Sequence, residues 1–433
     1  MEFLDFLEKS PTAFHAVKEA CDILDSFGFT KISEGEVWKL NKGEKYYFTR
    51  NNSSLVAFTI PNEINDLSYN IVAAHTDSPC FKLKPNFTIE KDKYNLLNTE
   101  VYGGPILNTW MDRPLNIAGR IIIRTNEHTL KTMLISFDKP ICIIPNCSIH
   151  YNKELNDGYK LNPQVDLLPL ISDKDISDMD LLDLVAEKLN IKKEAIVSHD
   201  LYLALLDRGT IGGLNNEFIF APQIDNLLCS YISLRALTMA KPQNSSINVT
   251  VLFDNEEIGS RTRQGAASNL LSDALKRISN AFGLNDEKHS IALSQSFIIS
   301  ADNAQGYHPN YSAKYDATNR CYMNEGIVIK SAARGSYTTD AMSLAYFQEI
   351  CKKANAKYQV NTNRSDIPGG STLGAISLSN VSIHSVDIGL AQIAMHSAME
   401  TCGFYDYDEL IKALKKYFET HINISSDGFI SYE

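Results

Sequence analysis

The chain has 433 residues, of which 44% are hydrophobic, and it carries a formal net charge of −11. A single core rarely grows beyond roughly 300 residues, so this length predicts one large domain and a smaller second one. The acidic balance excludes an electrostatic grip on phosphates, since basic residues form no run longer than pairs such as Lys192 and Lys193, and nucleic acid is not an expected partner.

The first residues, Met1, Glu2, Phe3, Leu4 and Asp5, lack the basic start and apolar stretch of a signal peptide. No segment approaches the roughly 18 apolar residues of a membrane span, so no membrane contact is expected. The eight cysteines include no Cys-x-x-Cys pair and sit mostly in apolar surroundings, such as Leu228-Cys229 and Ile141-Cys142. They read as reduced core thiols of a cytoplasmic protein.

In chain order, Ser10, Pro11 and Thr12 read as a helix entrance with Ser10 as cap. Phe14, Val17, Cys21 and Leu24 follow on one face, and Gly28 ends the helix. Ile71–Ala74 reads as the first buried strand. From about Pro85 to Phe220 the pattern changes to short alternating strands, among them Gly119–Arg124, Thr132–Phe137 and Leu201–Leu206, with one helix at about Met179–Leu189. This predicts an inserted β-rich domain over residues 86–220, leaving 1–85 and 221–433 for the larger domain. Within the latter, Ile247–Phe253, Phe297–Ala301 and Val381–Ile388 read as buried strands. Asn226–Met239, Thr339–Lys353 and Glu409–Phe418 read as helices. Strands alternating with helices predict an α/β fold with a mainly parallel central sheet flanked by helices.

Ligands of open α/β sheets bind beyond the carboxyl ends of strands, so the polar residues after each apolar run decide the chemistry. His75 and Asp77 follow the first buried strand; Asp254, Asn255, Glu256 and Glu257 follow the second; Asp302 follows the third; His396 lies beyond the fourth. Asp225 opens a helix where the inserted region returns. Each alone has an ordinary reading. His75-Thr76-Asp77 is also the pattern of a histidine held by a nearby acid, Asp254 to Glu257 of a solvated turn, and Asp302 or His396 of a cap. Four separate segments ending in ligand-type side chains shift the balance to a divalent metal site, because clustered carboxylates losing their hydration need a compensating cation. Imidazole and carboxylate suit zinc, with cobalt or manganese as substitutes. Two histidines and three carboxylates exceed one open zinc site and fit two ions sharing a carboxylate. The glycine pairs Gly212-Gly213 and Gly369-Gly370 lack phosphate-loop spacing and read as turns.

The strings SPTAFHAV from Ser10, AAHTDSP around His75, NTWMDRPL from Asn108, FDNEEIGS from Phe253, HPNY from His308, NRSDIPGGST from Asn363 and MHS from Met395 occur in order across nearly the whole chain. Together they resemble the aspartyl aminopeptidase family of metallopeptidases. The resemblance implies a zinc-exopeptidase-like α/β domain interrupted by a β-rich dimerisation domain, with dimers assembling into a tetrahedral dodecamer. It implies two zinc ions per subunit, one taken by His75 and Asp302, the other by Glu257 and His396, with Asp225 bridging. It makes Glu256 the general base and Asp77 the acid that orients His75. It also implies that His150 steadies the oxyanion in a neighbouring subunit's site, where the residues alone favour a surface histidine. The function expected is removal of N-terminal residues, acidic ones by the family's habit, from peptides.

Three departures from the family pattern stand out. Gln305 replaces a frequent histidine. Arg334, Gly335 and Ser336 replace a frequent Asn-Gln-Arg before Tyr337, near the expected position of the substrate's first side chain, which bears on the acidic preference. Gly369 and Ala375 replace a usual Cys and Pro. Lys330 and Tyr337 remain the candidate substrate-binding residues, Lys330 as partner of an acidic side chain, against the ordinary reading of a solvated lysine. The competing readings are a related dinuclear deacylase or carboxypeptidase, and an inactive assembly or metal-storage protein. Glu256 argues against the last, since storage needs no proton acceptor. A glycosidase needs carboxyl groups facing each other across a sugar bond, which the neighbours Glu256 and Glu257 rarely manage.

Overall fold

The computed structural model describes residues 2–64, 66–176, 179–243, 245–426 and 428–433. Its largest element is a nine-stranded sheet. In spatial order the strands are Thr30–Lys31, Lys45–Arg50, Ser54–Thr59, Ser246–Phe253, Ser68–His75, Phe297–Ala301, His384–Gly389, Ile327–Ser331 and Tyr358–Thr362. Five neighbouring pairs are parallel and three antiparallel. The sheet is thus mixed, with parallel pairs outnumbering antiparallel ones. The four central strands do run parallel, but the tight turn at residues 51–53 forces Ser54–Thr59 back against Lys45–Arg50, and Ile327–Ser331 opposes His384–Gly389. An apolar run encodes burial and not strand direction.

Helices cover both faces, which is why the central strands are buried along almost their whole length. In Ser68–His75, Val72 and Ala74 face one core while Tyr69, Ile71 and Ala73 face the other; in Phe297–Ala301 the same alternation separates Phe297, Ile299 and Ala301 from Ile298. The first core holds the helices Ala13–Ser26, Ile224–Met239, Ala341–Ala354 and Asp406–Phe418. The second holds Leu270–Ala281. Ile224–Met239 is buried on almost every side.

Two boundaries differ from their expected positions for physical reasons. The helix expected to be capped by Ser10 starts at Ala13 with Thr12 as its N-cap residue, and Ser10 is buried beyond a separate short helix, Glu2–Glu8. Pro11 disfavours helical torsions at the residue before it, which holds the two helices apart. The last central strand begins at His384 and not at Val381, because residues up to 381 finish the turn after the helix Leu373–Ser377.

A second, seven-stranded sheet runs in the order Ile196–Leu205, Cys80–Lys91, Tyr94–Tyr102, Leu170–Asp173, Cys142–Ile143, Pro114–Asn126 and Thr129–Ser136. Ile196–Leu205 also pairs with Pro114–Asn126, so the sheet curls back on itself. Its own core gathers Phe81, Leu83, Trp110, Leu115, Ile117, Leu201 and Leu203 with Leu181 and Val185 of the helix Leu181–Leu189. Asp180 caps that helix in a reciprocal box with Asp183.

A third sheet was not anticipated. Thr210–Gly212, Phe218–Ala221, Glu400–Gly403, Ala391–Ile393 and Ala304–Gln305 form five short strands in that order. They draw together the segments that carry Asp225, His396 and Asp302. Among the described residues no helix is long and apolar enough to cross a membrane.

Candidate active site

Register brings three strand ends to one level. Phe253 pairs with His75, and Ser300 with Ala73, so Asp77, Asp254 to Glu257 and Asp302 leave the sheet side by side. The Glu256–Ile258 turn is framed by left-handed residues, Asn255 (φ 63) and Gly259 (φ 94), which fold the chain back over the rim. Asp225 arrives from Phe218–Ala221 through Gln223 (φ 57) and keeps non-helical torsions (φ −83, ψ 109) at the start of its helix. His396 lies between two short strands at φ 68. Non-glycine residues with such positive φ values are strained, and here they flank the side chains that converge.

Nε2 of His75 stands 3.7 Å from Oδ1 of Asp225 and 3.7 Å from Oδ1 of Asp302. Nε2 of His396 stands 3.4 Å from Oδ2 of Asp225 and 3.5 Å from Oε2 of Glu257. Asp225 therefore turns one oxygen to each histidine, and its Oδ1 is buried without a hydrogen-bond partner. Four donors about 2.0–2.1 Å from a tetrahedral zinc lie about 3.3 Å from one another, so this spacing fits ligands awaiting a cation. Donor atoms of His75, Asp225 and Glu257 all lie within 4.8 Å of one another.

The tautomers agree. Nδ1 of His75 lies 3.1 Å from the carbonyl oxygen of Asp77 and 3.3 Å from its Oδ1, and Nδ1 of His396 lies 3.0 Å from the carbonyl oxygen of Gly104. A carbonyl only accepts, so each Nδ1 carries a proton, which leaves each Nε2 as the ring atom that would ligate a metal. Asp77 also accepts the backbone N–H of Glu256 at 3.1 Å and of Glu257 at 3.2 Å, tying the acidic turn to the same anchor. Gly389 matters to Asp302. A Cβ there would lie 1.8 Å from the Asp302 carbonyl oxygen, so only glycine lets the neighbouring strand pass.

These groups line a cavity of about 150 Å³. His75, Asp225, Glu256, Glu257, Asp302 and His396 share it with Lys330, Tyr337, Asn361 and Asn363. Lys330 is buried and not solvated. Its Nζ donates to the Asn303 carbonyl at 3.1 Å, lies 3.9 Å from Asp302 Oδ2 and 5.3 Å from the centre of the Tyr337 ring. His150 is exposed in a turn and does not line the cavity of its own chain.

Comparison with known proteins decides the family. The model of the aminopeptidase I zinc metalloprotease family, M18, matches residues 6–418. The chain belongs to the M18 aminopeptidases. A probable M18 family aminopeptidase 2 of Clostridium novyi is 46% identical over 424 residues, covering 96% of this chain and 98% of that protein. An aspartyl aminopeptidase of Dictyostelium discoideum is 36% identical over 462 residues, covering 96% of each. The structure of the S. cerevisiae mApe1 dodecamer superposes with a TM-score of 0.85 at 28% identity, covering 96% of this chain and 95% of that one. An M18 aminopeptidase is a zinc-dependent hydrolase of N-terminal peptide bonds, and this chain is one.

The electrostatics of this M18 aminopeptidase show what the protein's own charges do at the rim. Burial pushes Glu256 up to about 7; His75 opposes the rise, and Asp302, Asp77 and Asp225 add to it. Burial and the Asp225 carboxylate push Glu257 well above the usual carboxylate range. Burial would lower the pKa of His75, but Asp302 and Asp77 raise it well above the ordinary value. Burial would likewise raise Asp302, yet Lys330 and His75 hold it at about 2.

Two contributors escaped the sequence reading. Glu400 is buried and accepts the backbone N–H of Asp225 at 2.9 Å and of His396 at 2.6 Å, one on each carboxylate oxygen. Tyr102, from the second sheet, donates to Asp77 Oδ2 at 2.8 Å and accepts from Asn255 Nδ2 at 2.8 Å. No local pattern marks either one, because both act across long sequence separations.

Proposed function

We propose that this cavity is the active site of a two-zinc aminopeptidase, with His75 and Asp302 on one ion, Glu257 and His396 on the other, and Asp225 shared. The observation that carries this is the Asp225 carboxylate, whose two oxygens face two histidines of matching tautomer. Bound zinc supplies Lewis-acid chemistry, lowering the pKa of water to about 7 and polarising the scissile carbonyl. Cobalt and manganese fit the same donors.

The protein's own part is to hold the peptide and move a proton. Glu256 lines the cavity without standing among the close donor pairs of either histidine. It accepts the proton of the attacking water and returns it to the leaving amine. Asp77 fixes the ring of His75 and the backbone of the acidic turn together. Lys330, with Tyr337 against it, is a desolvated cation whose natural complement is the carboxylate of an N-terminal Asp or Glu, and aspartyl is the residue in the Dictyostelium relative's name.

The assembly reading rests on the mApe1 relative, which is a dodecamer. We extend that to a homo-oligomer of dimers in tetrahedral arrangement, with residues 86–220 as the dimerisation domain and exposed His150 free to reach a neighbour's oxyanion. A cytoplasmic setting suits the eight free thiols. The test is Glu256→Gln, with zinc measured by mass spectrometry and turnover measured on aspartyl, leucyl and N-acetylaspartyl peptides. Two zinc ions retained and turnover lost by about 10²-fold or more supports the base. Near-normal turnover removes Glu256 from that role, and activity on the acetylated peptide favours a deacylase.

A further inference from the structure

Beside the cavity lies a second chamber of about 250 Å³, and the two share Gln305, Asn361, Asn363 and Gly369 as walls. Lys330 and Tyr337 line only the first, while Lys314, Arg320 and Arg364 line only the second. We propose that this chamber is a subsite for a peptide carboxylate on the far side of the scissile bond, read by Arg320 and Lys314. The inference rests on the reading of the neighbouring cavity as the active site.

The charges in the chamber do not cancel. Arg364 is occupied by Asp366, with Nε 2.7 Å from Oδ1 and Nη2 3.0 Å from Oδ2. The other acid, Asp316, accepts the backbone N–H of Thr318 and Asn319 at 2.9 Å each. Neither Arg320 nor Lys314 has an ion-pair partner among the described residues. Arg320 lies over the Tyr307 and Tyr322 rings, 4.7 and 5.8 Å from their centres, which fixes its plane while leaving guanidinium N–H groups for a ligand. A cationic surplus in a chain of net charge −11 stands against the general trend of its surface.

The chamber's place sets the class of ligand. Gln305, which lines both spaces, ends the short strand that begins two residues after Asp302, so the chamber lies next to the proposed metal rim. With the N-terminal side chain against Lys330, the chamber is left for the residue beyond the cleaved bond. The carboxylate is either an acidic side chain at the second position or the C-terminus of a very short peptide. Gln305 forms part of the wall between the two spaces.

The zinc-loaded wild-type enzyme is compared with Lys314→Gln and Arg320→Gln on three peptides of one N-terminal residue: X-Ala-amide, X-Ala and X-Glu-amide, with X as Asp and, in parallel, Leu. The expected result is a kcat/KM for X-Ala or X-Glu-amide about tenfold above X-Ala-amide, the size of one charge-assisted hydrogen bond, and a ratio that falls toward one in the variants. Preference for X-Ala identifies the terminal carboxylate as the source, and preference for X-Glu-amide the side chain. Equal kcat/KM for all three peptides in wild type, with turnover intact, overturns the subsite while leaving the active-site reading standing. No turnover on any peptide overturns that reading, and the subsite with it. Should Arg320→Gln lose its fold, exposed Lys314→Glu decides the matter by reversing the preference.

Discussion

The Tyr102 hydroxyl donates to Asp77 Oδ2 at 2.8 Å, so a residue of the second sheet touches the acid that holds His75 and the Glu256–Glu257 backbone. Tyr102→Phe removes that donor and takes away one of the two acceptors of Asn255 Nδ2, the other being Asp254 Oδ1 at 3.2 Å. Contacts of this kind around metal sites are worth about 10–100-fold in affinity or activity. We expect a drop of that order in kcat with KM little changed, checked by steady-state kinetics at saturating zinc.

Glu400 places the carboxylate of Asp225 and the ring of His396 by accepting both backbone N–H groups. Glu400→Gln keeps the volume but replaces one acceptor with a donor facing an N–H. Zinc affinity is expected to fall about 10–100-fold, with unchanged far-ultraviolet circular dichroism, read by competition with a chelator. An affinity equal to wild type would show that Glu400 is only filling space.

Gly389→Ala tests close packing behind Asp302. The added Cβ meets the Asp302 carbonyl oxygen at 1.8 Å, so one strand must move. We expect one zinc ion fewer per subunit and a fall in melting temperature, since overpacking costs about 1–3 kcal/mol.

His15 gives a pH prediction from a residue that does not line the site cavity. Burial lowers its pKa to about 4 from 6.5, with Asp138 opposing and Lys18 adding to the effect. The folded state therefore favours the neutral ring. Its contribution is fully present above pH 6.5 and is lost as pH falls toward 4, amounting to at most about 3 kcal/mol. His15→Gln should show a shallower loss of stability over that window than wild type in urea titrations. Parallel curves would mean that the ring titrates normally.

The rim was legible in the sequence because each metal-type side chain directly follows, or lies just beyond, a strand long and apolar enough to stand out: His75 at the end of Ser68–His75, Glu257 after Ser246–Phe253, Asp302 after Phe297–Ala301. The positioning of Asp225 and His396 was not legible. The sheet that presents them consists of strands of two to four residues, too short to show periodicity, and its order joins Ala304–Gln305 to Glu400–Gly403 through Ala391–Ile393. Strand direction at the margins was equally hidden, since Ile327–Ser331 is as apolar antiparallel as it would be parallel. The burial of Lys330 was hidden for a related reason. Its partners, Asn303 and Tyr337, approach only through the fold, so the apolar run before it gives no sign of what holds its charge.

The proposed zinc donors are dispersed from His75 to His396, with the entire second sheet threaded between the first two. During synthesis His75 must therefore wait for Asp225 and Asp302, and the set is complete only when His396 emerges. A ribosome-bound or truncated product lacks the last imidazole and holds at most an incomplete cage, so peptide-cutting ability appears only once the molecule is finished.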